Sequence, residues 1–326
     1  MQIFLRGKIN LNPAISNHDR SNFGDKDTRF LNANGLRLAY QEFGDPQHPA
    51  ILLVAGLYNQ MVRWPLAFCN LLVSRGFRVI RFDNRDIGLS DKMDGAKAPS
   101  LFRLFIKYYL GIPVTAPYTL DDMAQDTLGI LDALEIDRAH IVGMSMGGMI
   151  SQLVTAYYPQ RILSLTSIMS TSGEWGKGVA SLKVSWQMLR PTSKTRSVLD
   201  NAVDTWQMIG SPGYPMAEDE IRALLKAEYR RSTNPAGYLR QIAAIRTAPG
   251  RGSLLKQIKC PVLIMHGRED LLVPLNGALD TAKHMPHAKL KIFDGMGHTL
   301  PTQLLPKFVD LIVENTQKAV PNGQQL

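Results

Sequence analysis

Cysteine is almost absent: Cys69 and Cys260 are the only two in 326 residues. One falls in a predicted helix and one directly before a predicted strand. That excludes a secreted scaffold built on disulfides and casts both thiols as small buried hydrophobes. Long apolar runs are missing too. No stretch approaches the roughly eighteen residues of a membrane span, and Met1-Gln2-Ile3-Phe4-Leu5-Arg6-Gly7-Lys8 lacks the apolar core of a signal peptide. A cytoplasmic location with no integral membrane span is therefore expected. Lys and Arg outnumber Asp and Glu by 37 to 28, a net charge of +9, yet they form no run of five or more. Without a basic stripe, nucleic acid is not an expected partner. Internal repeats and low-complexity segments are also absent.

What remains is an ordinary globular composition, 45% hydrophobic and 20% charged, long enough for one large core with a subdomain inserted. Residues 1–29 are polar and rich in turn signals, and read as a leader without visible chemistry. Leu36 to Phe43 alternates as a strand after the hairpin signal Asn34-Gly35. Ile51-Leu52-Leu53-Val54 is a continuous apolar run of the kind buried on both faces of a parallel sheet. A helix over Met61 to Arg75, a strand over Arg78 to Phe82 and the charged turn Asp83 to Ser90 follow. That turn reads as structural. Thr119 to Glu135 is a predicted helix, with Thr119 as its N-cap and Asp122 as a weak capping-box partner. Between them the aromatic segment Leu101 to Leu110 packs on its own domain, with channel lining or membrane-surface contact as the alternatives.

Strand Ala139 to Val142, helix Met146 to Tyr158 and strand Ile162 to Met169 come next. About ninety residues then pass before the strand at Val262 to His266. They carry helical stretches at Lys183 to Leu189, Leu199 to Ile209, Glu218 to Arg231 and Pro235 to Arg246, broken by Gly, Pro and Ser. Alternation resumes with helix Asn276 to His284, strand Ala288 to Phe293 and helix Pro301 to Thr316. The expected organisation is an α/β core over 30–170 and 251–318, a mostly parallel doubly wound sheet, a helical cap over 171–250 and a frayed tail over 319–326.

Chemistry enters at Val142-Gly143-Met144-Ser145-Met146-Gly147-Gly148, a Gly-x-Ser-x-Gly pattern between a predicted strand and a predicted helix. Such a sharp turn strains the serine backbone, and side chains two residues either side would collide, so Gly143 and Gly147 suit it. A serine hydroxyl needs an imidazole to take its proton and an acid to orient that imidazole. Of seven histidines, only His298 sits in a glycine loop after a strand, in Asp294-Gly295-Met296-Gly297-His298. His266 is expected to be structural or part of a pocket wall. His284 and His287 should be exposed, and two histidines three apart without a third ligand make no metal site. For the acid, Asp270 follows the Val262 to His266 strand, with Glu269 and Asp294 as rivals. An oxyanion needs two backbone donors, for which Met146 and Leu57 are the candidates. Met144, Trp175 and Met296, with Gly56, are the expected substrate contacts in an apolar, Met-rich and Trp-rich pocket that also includes Trp186 and Trp206, although core packing explains many of these residues as well.

Gly143 to Gly148, Gly267-Arg268-Glu269-Asp270-Leu271-Leu272-Val273-Pro274 and Gly297-His298 resemble, in order, the nucleophile elbow, acid loop and histidine loop of the α/β-hydrolase superfamily. Gly56, Trp64-Pro65 and the Val79 to Ser90 stretch are similar to the aclacinomycin methylesterase group of bacterial hydrolases. The resemblance runs from about Phe30 to Thr316 and implies a small-molecule ester substrate and a Ser145-His298-Asp270 mechanism without metal or organic cofactor. Ala55-Gly56 stands where many relatives have His-Gly, which leaves a backbone donor available but its pocket differently shaped. The same triad also serves perhydrolase, cofactor-free oxygenase and carbon–carbon hydrolase chemistry, or a slow-turnover receptor. Oligomeric state has no signal in the chain.

Overall fold

A computed structural model describes residues 27–100, 104, 106, 110, 112, 115–181, 184–185 and 197–319. Most of the leader, the larger part of the aromatic segment, most of the Lys183 to Leu189 helix with Trp186, and residues 320–326 lie outside them.

The described chain opens on a hairpin of β1 (Arg29–Ala33) and β2 (Leu36–Phe43). Asn34 and Gly35 both adopt positive φ, 49° and 76°, the pair that a two-residue hairpin turn with the sheet's own twist demands. Then come β3 (Ala50–Val54), α1 (Leu66–Val73), β4 (Arg78–Phe82), α2 (Leu120–Ala133), β5 (Ala139–Met144), α3 (Met146–Tyr157) and β6 (Ile162–Ile168). After an insertion of helices the core finishes with β7 (Val262–Gly267), α8 (Asn276–His284), β8 (Lys289–Phe293) and α9 (Leu305–Gln317). The eight strands are ordered β1-β2-β4-β3-β5-β6-β7-β8; β2 is antiparallel to β1 and β4, and every other pairing is parallel.

Every residue of β3, β5 and β7 is buried, because helices cover both faces of the sheet. On one face lie the apolar sides of α2, α3 and α8, through residues such as Met123, Ile130, Ile150, Val154 and Ala278. On the other lie Phe68 and Leu72 of α1 with Phe308 and Ile312 of α9. Each of the larger of these side chains, removed from water, contributes about 1.5–3 kcal/mol. The Thr119 capping box is complete: the Thr119 hydroxyl accepts from the Asp122 amide and the Asp122 carboxylate from the Thr119 amide.

One expected helix is broken. In place of Met61 to Arg75 there is a short 3-10 turn at Met61–Arg63, an extended Trp64 (φ −81°, ψ 105°) and then α1. Pro65 is the cause, since its ring drives the preceding residue out of the helical region. Trp64 turns inward, fully buried and stacked on Phe68.

Between β6 and β7 lie α4 (Val198–Ile209), α5 (Glu218–Arg231), α6 (Pro235–Thr247) and the short α7 (Gly252–Leu255). Buried ions fasten this insert to the charged turn after β4. Arg240 of α6 donates to both carboxylate oxygens of Asp86, at 2.8 and 2.7 Å, and Arg231 of α5 donates to Asp83 at 2.6 Å. The other face of the turn is held by the Arg85–Asp126 pair at 2.5 Å. Burial alone would raise the Asp86 carboxyl pKa, but hydrogen bonds from Arg240 and the Met93 amide hold it below the ordinary carboxylate range. The structural reading of Asp83 to Ser90 therefore acquires a purpose: it is the anchor of the insert.

Candidate active site

Ser145 sits between β5 and α3 with φ 55° and ψ −121°, a conformation disfavoured for any residue with a side chain. Close backbone approach makes the flanking glycines obligatory. A Cβ on Gly143 would lie 2.2 Å from the Gly147 carbonyl oxygen, and one on Gly147 would lie 2.1 Å from that of Val54. The strained turn is held by the Ser145 amide donating to Ile168 O and by Ser170 Oγ donating to Ser145 O.

The adjacent parallel strands bring two further loops to the same sheet edge. His298 Nε2 lies 3.0 Å from Ser145 Oγ, and its Nδ1 lies 2.7 Å from Asp270 Oδ2. The other carboxylate oxygen, Oδ1, accepts from the Leu272 and Val273 amides at 2.9 and 2.8 Å. Asp270 is thus buried and saturated with donors, a setting in which a carboxylate is held in one orientation. His266 is buried beside it, 3.6 Å away, and donates Nε2–H to Val273 O. Burial pushes the His266 imidazole below its ordinary pKa, so it remains neutral and braces the acid loop. The rival acids lie elsewhere. Asp294 pairs at the surface with Arg268, and the Glu269 backbone is tied to Met296 O.

Met146 occupies the first position of α3, where an amide has no partner within the helix. Leu57 lies in the turn directly after β3. Gly56 is the closest approach of that turn to the serine: a Cβ there would stand 3.1 Å from Ser145 Cβ. Over these groups opens a cavity of about 760 Å³, roofed by α4, α5 and α6. Ser145, His298, Leu57, Met144 and Met146 all line it, with apolar walls from residues such as Val62, Leu66, Met149, Leu224 and Ile242. His298 is its one imidazole among the described residues.

Three expected contacts are placed differently. Trp175 is 74% exposed and off the cavity, because it stands in an exposed turn, with Gly176 and Lys177, beyond the buried segment that leaves β6. Met296 is wholly buried in the core behind the histidine loop, where its carbonyl accepts from Glu269. Gly56 packs against the serine rather than facing the cavity. His284 is also half-buried, 3.5 Å from Asp280, rather than exposed as expected. Conversely, Leu104 of the aromatic segment is buried and lines the cavity, as one alternative for that segment requires. The residues that sequence reasoning missed are Arg231, Arg240 and Gln241 of the insert. The sole hint was a turn with more charge than a buried loop can hold without partners.

No described helix is long and apolar enough to cross a membrane. The chain is 28% identical to rhodomycin D methylesterase of Streptomyces peucetius, over 90% of this chain and 99% of that one. It is 25% identical to 2-hydroxymuconate semialdehyde hydrolase of Pseudomonas putida, over 61% and 70%. Among solved structures, the enol-lactonase of Burkholderia xenovorans superposes with a TM-score of 0.68 at 23% identity, covering 89% of this chain and 100% of the other, a likeness of fold. The model of the alpha/beta hydrolase fold matches residues 49–301. With that match across most of its length, and with the sheet order and sheet-edge loops described above, the chain belongs to the α/β-hydrolase fold family.

Proposed function

We propose that the protein hydrolyses a carboxylic ester with an apolar acyl or alkyl part through an acyl-enzyme on Ser145. The observation that carries this reading is the relay from Ser145 Oγ to His298 Nε2 and from His298 Nδ1 to Asp270, with both contacts within hydrogen-bond reach. Neutral His298 takes the hydroxyl proton as Ser145 Oγ bonds to the ester carbonyl carbon. The carbonyl electrons move onto oxygen, toward the amides of Leu57 and Met146. Collapse of that intermediate breaks the bond to the leaving alcohol, which receives the proton from His298. Asp270 stabilises the imidazolium between these steps. Water, deprotonated by His298, then attacks the acyl-enzyme and restores the serine.

The largely apolar cavity suits a bulky apolar substrate, and the insert that roofs it acts as a cap deciding what enters. The similarity to a methylesterase along nearly the whole chain favours a methyl ester of such a substrate, with methanol leaving. The likeness to 2-hydroxymuconate semialdehyde hydrolase makes carbon–carbon cleavage the competing reading.

Ser145→Ala, assayed on p-nitrophenyl esters and on methyl esters of aromatic acids, should lose about four powers of ten or more in kcat. It should also lose labelling by a fluorophosphonate. Retained turnover would refute the nucleophile. Turnover of a vinylogous diketone with none of any ester would transfer the site to carbon–carbon hydrolysis.

A further inference from the structure

The loop that carries His298 is gripped from two sides. On the core side the Glu269 amide donates to Met296 O at 3.0 Å. On the other side lies Ile209 to Gly213, the last residue of α4 and the chain just after it. The His298 amide donates to Ile209 O at 2.7 Å, the Gly297 amide to Ser211 Oγ at 3.0 Å, and the Gly213 amide to Gly295 O at 2.8 Å. Ser211 Oγ also stands 2.7 Å from Thr299 Oγ1. The buried Ser211 hydroxyl therefore bridges the residues immediately before and after His298.

Backbone must meet backbone for this to happen. A Cβ on Gly297 would overlap Gly210 O, and one on Gly213 would lie 2.7 Å from Gly295 Cα. Gly295 also takes φ 76°, which residues with side chains disfavour. Glycines thus let two pieces of chain interlock although Ser211 and Gly297 are 86 positions apart in sequence, and the same glycines leave the histidine loop little stiffness of its own. The imidazole is fixed at its two nitrogens by Asp270 and Ser145, whereas the backbone beneath it is fixed by the insert. A base that misses its position by about 1 Å loses up to about a hundredfold in rate.

We infer that Ser211 is a positioning residue for His298: its hydroxyl locks the histidine loop to the insert so that the imidazole reaches Ser145 and Asp270 at once. This rests on the acyl-enzyme reading above. Ser211 touches no reacting atom and does not line the catalytic cavity, so its effect falls on the base rather than on substrate binding.

Ser211→Ala tests this, because it removes the hydroxyl and leaves the buried Gly297 amide without its acceptor. On a p-nitrophenyl ester, kcat and the rate constant of Ser145 labelling by a fluorophosphonate should each fall about tenfold, while KM changes less than about threefold. The fraction of enzyme finally labelled should stay that of the parent. Ser211→Thr, which keeps the hydroxyl, should bring kcat back to within about threefold of the parent. An unchanged kcat in Ser211→Ala, a change confined to KM, or a smaller labelled fraction that reacts at the parent rate would each overturn the inference, the last by reducing Ser211 to a stabilising residue. Ser211→Thr as slow as Ser211→Ala would overturn it too. If Ser211→Ala does not fold, Ser211→Cys takes its place, a thiol being a poor acceptor in the same shape, and the same outcomes decide. A parent enzyme that does not label at Ser145 at all would instead sink the acyl-enzyme reading.

Discussion

Arg240→Met removes one half of a buried ion pair while leaving most of the side chain's volume. Asp86 is wholly buried and accepts from Arg240 Nε and Nη2, from the Met93 amide at 2.8 Å and from Asn234 at 3.2 Å. The substitution deletes two of these four donors, and the only charged ones. Stranding a buried carboxylate typically costs about 3–5 kcal/mol, far more than the net gain from the intact pair. For a core of this size each kcal/mol is worth about 2–4 °C, so the melting temperature at pH 7 should fall by about 6–20 °C. The sign with pH follows from the depressed Asp86 pKa. The intact pair's contribution is fully present above the unfolded carboxyl pKa and is lost as pH falls through the folded one. In the variant Asp86 protonates more readily, so the gap between the two proteins narrows toward pH 4. Because the stranded charge is the cause, adding Asp86→Asn to Arg240→Met should restore much of the loss. Differential scanning calorimetry of the parent, both single variants and the double variant at pH 7 and pH 4 checks this. A shift below about 2 °C at pH 7, or a double variant less stable than Arg240→Met alone, would refute the claim that the pair anchors the insert.

Two other predictions concern the core. His140 is buried on β5, with Nδ1 2.8 Å from Ser164 Oγ, and burial lowers its pKa from 6.5 to about 4. Since the unfolded state binds the extra proton between those values, stability present above pH 6.5 should drop by roughly 3 kcal/mol as pH falls to about 4. Urea unfolding should show that slope in the parent and a flatter one in His140→Gln; equal slopes would mean that another group controls the acid limb. Gly147→Ala drives a Cβ to 2.1 Å from the carbonyl oxygen of Val54, a strand backbone that cannot yield, whereas Gly95→Ala meets nothing within 4 Å. Gly147→Ala should therefore abolish fluorophosphonate labelling and lower the melting temperature by 10 °C or more, on the order of a severe core clash, with Gly95→Ala within about 2 °C of the parent. A Gly147→Ala protein that labels normally would contradict the close packing of the elbow on β3.

Local patterning determined a large share of this protein. A continuous apolar run placed β3 and largely apolar runs placed β5 and β7, because a strand buried on both faces leaves little room for polar residues. Backbone sterics made Gly143 and Gly147 readable around Ser145. The order of loops after successive parallel strands then narrowed the imidazole and the acid to His298 and Asp270, since parallel strands deliver their following loops to one edge. Tertiary structure alone decided the rest. Trp175 and Met296 have the right chemistry for a pocket, but one stands in an exposed turn and the other in the core behind its loop, and which way they face is not encoded in spacing. Arg240 finds Asp86 across more than 150 positions of sequence, and Gln241 reaches the Tyr58 amide across more than 180. Such pairings leave no periodic trace, because they are specified by the packing of one helix on one turn. The Gly-x-Ser-x-Gly turn is thus a matter of short-range sterics; the clasp of the insert on the turns beneath it is a matter of how one helix packs on them.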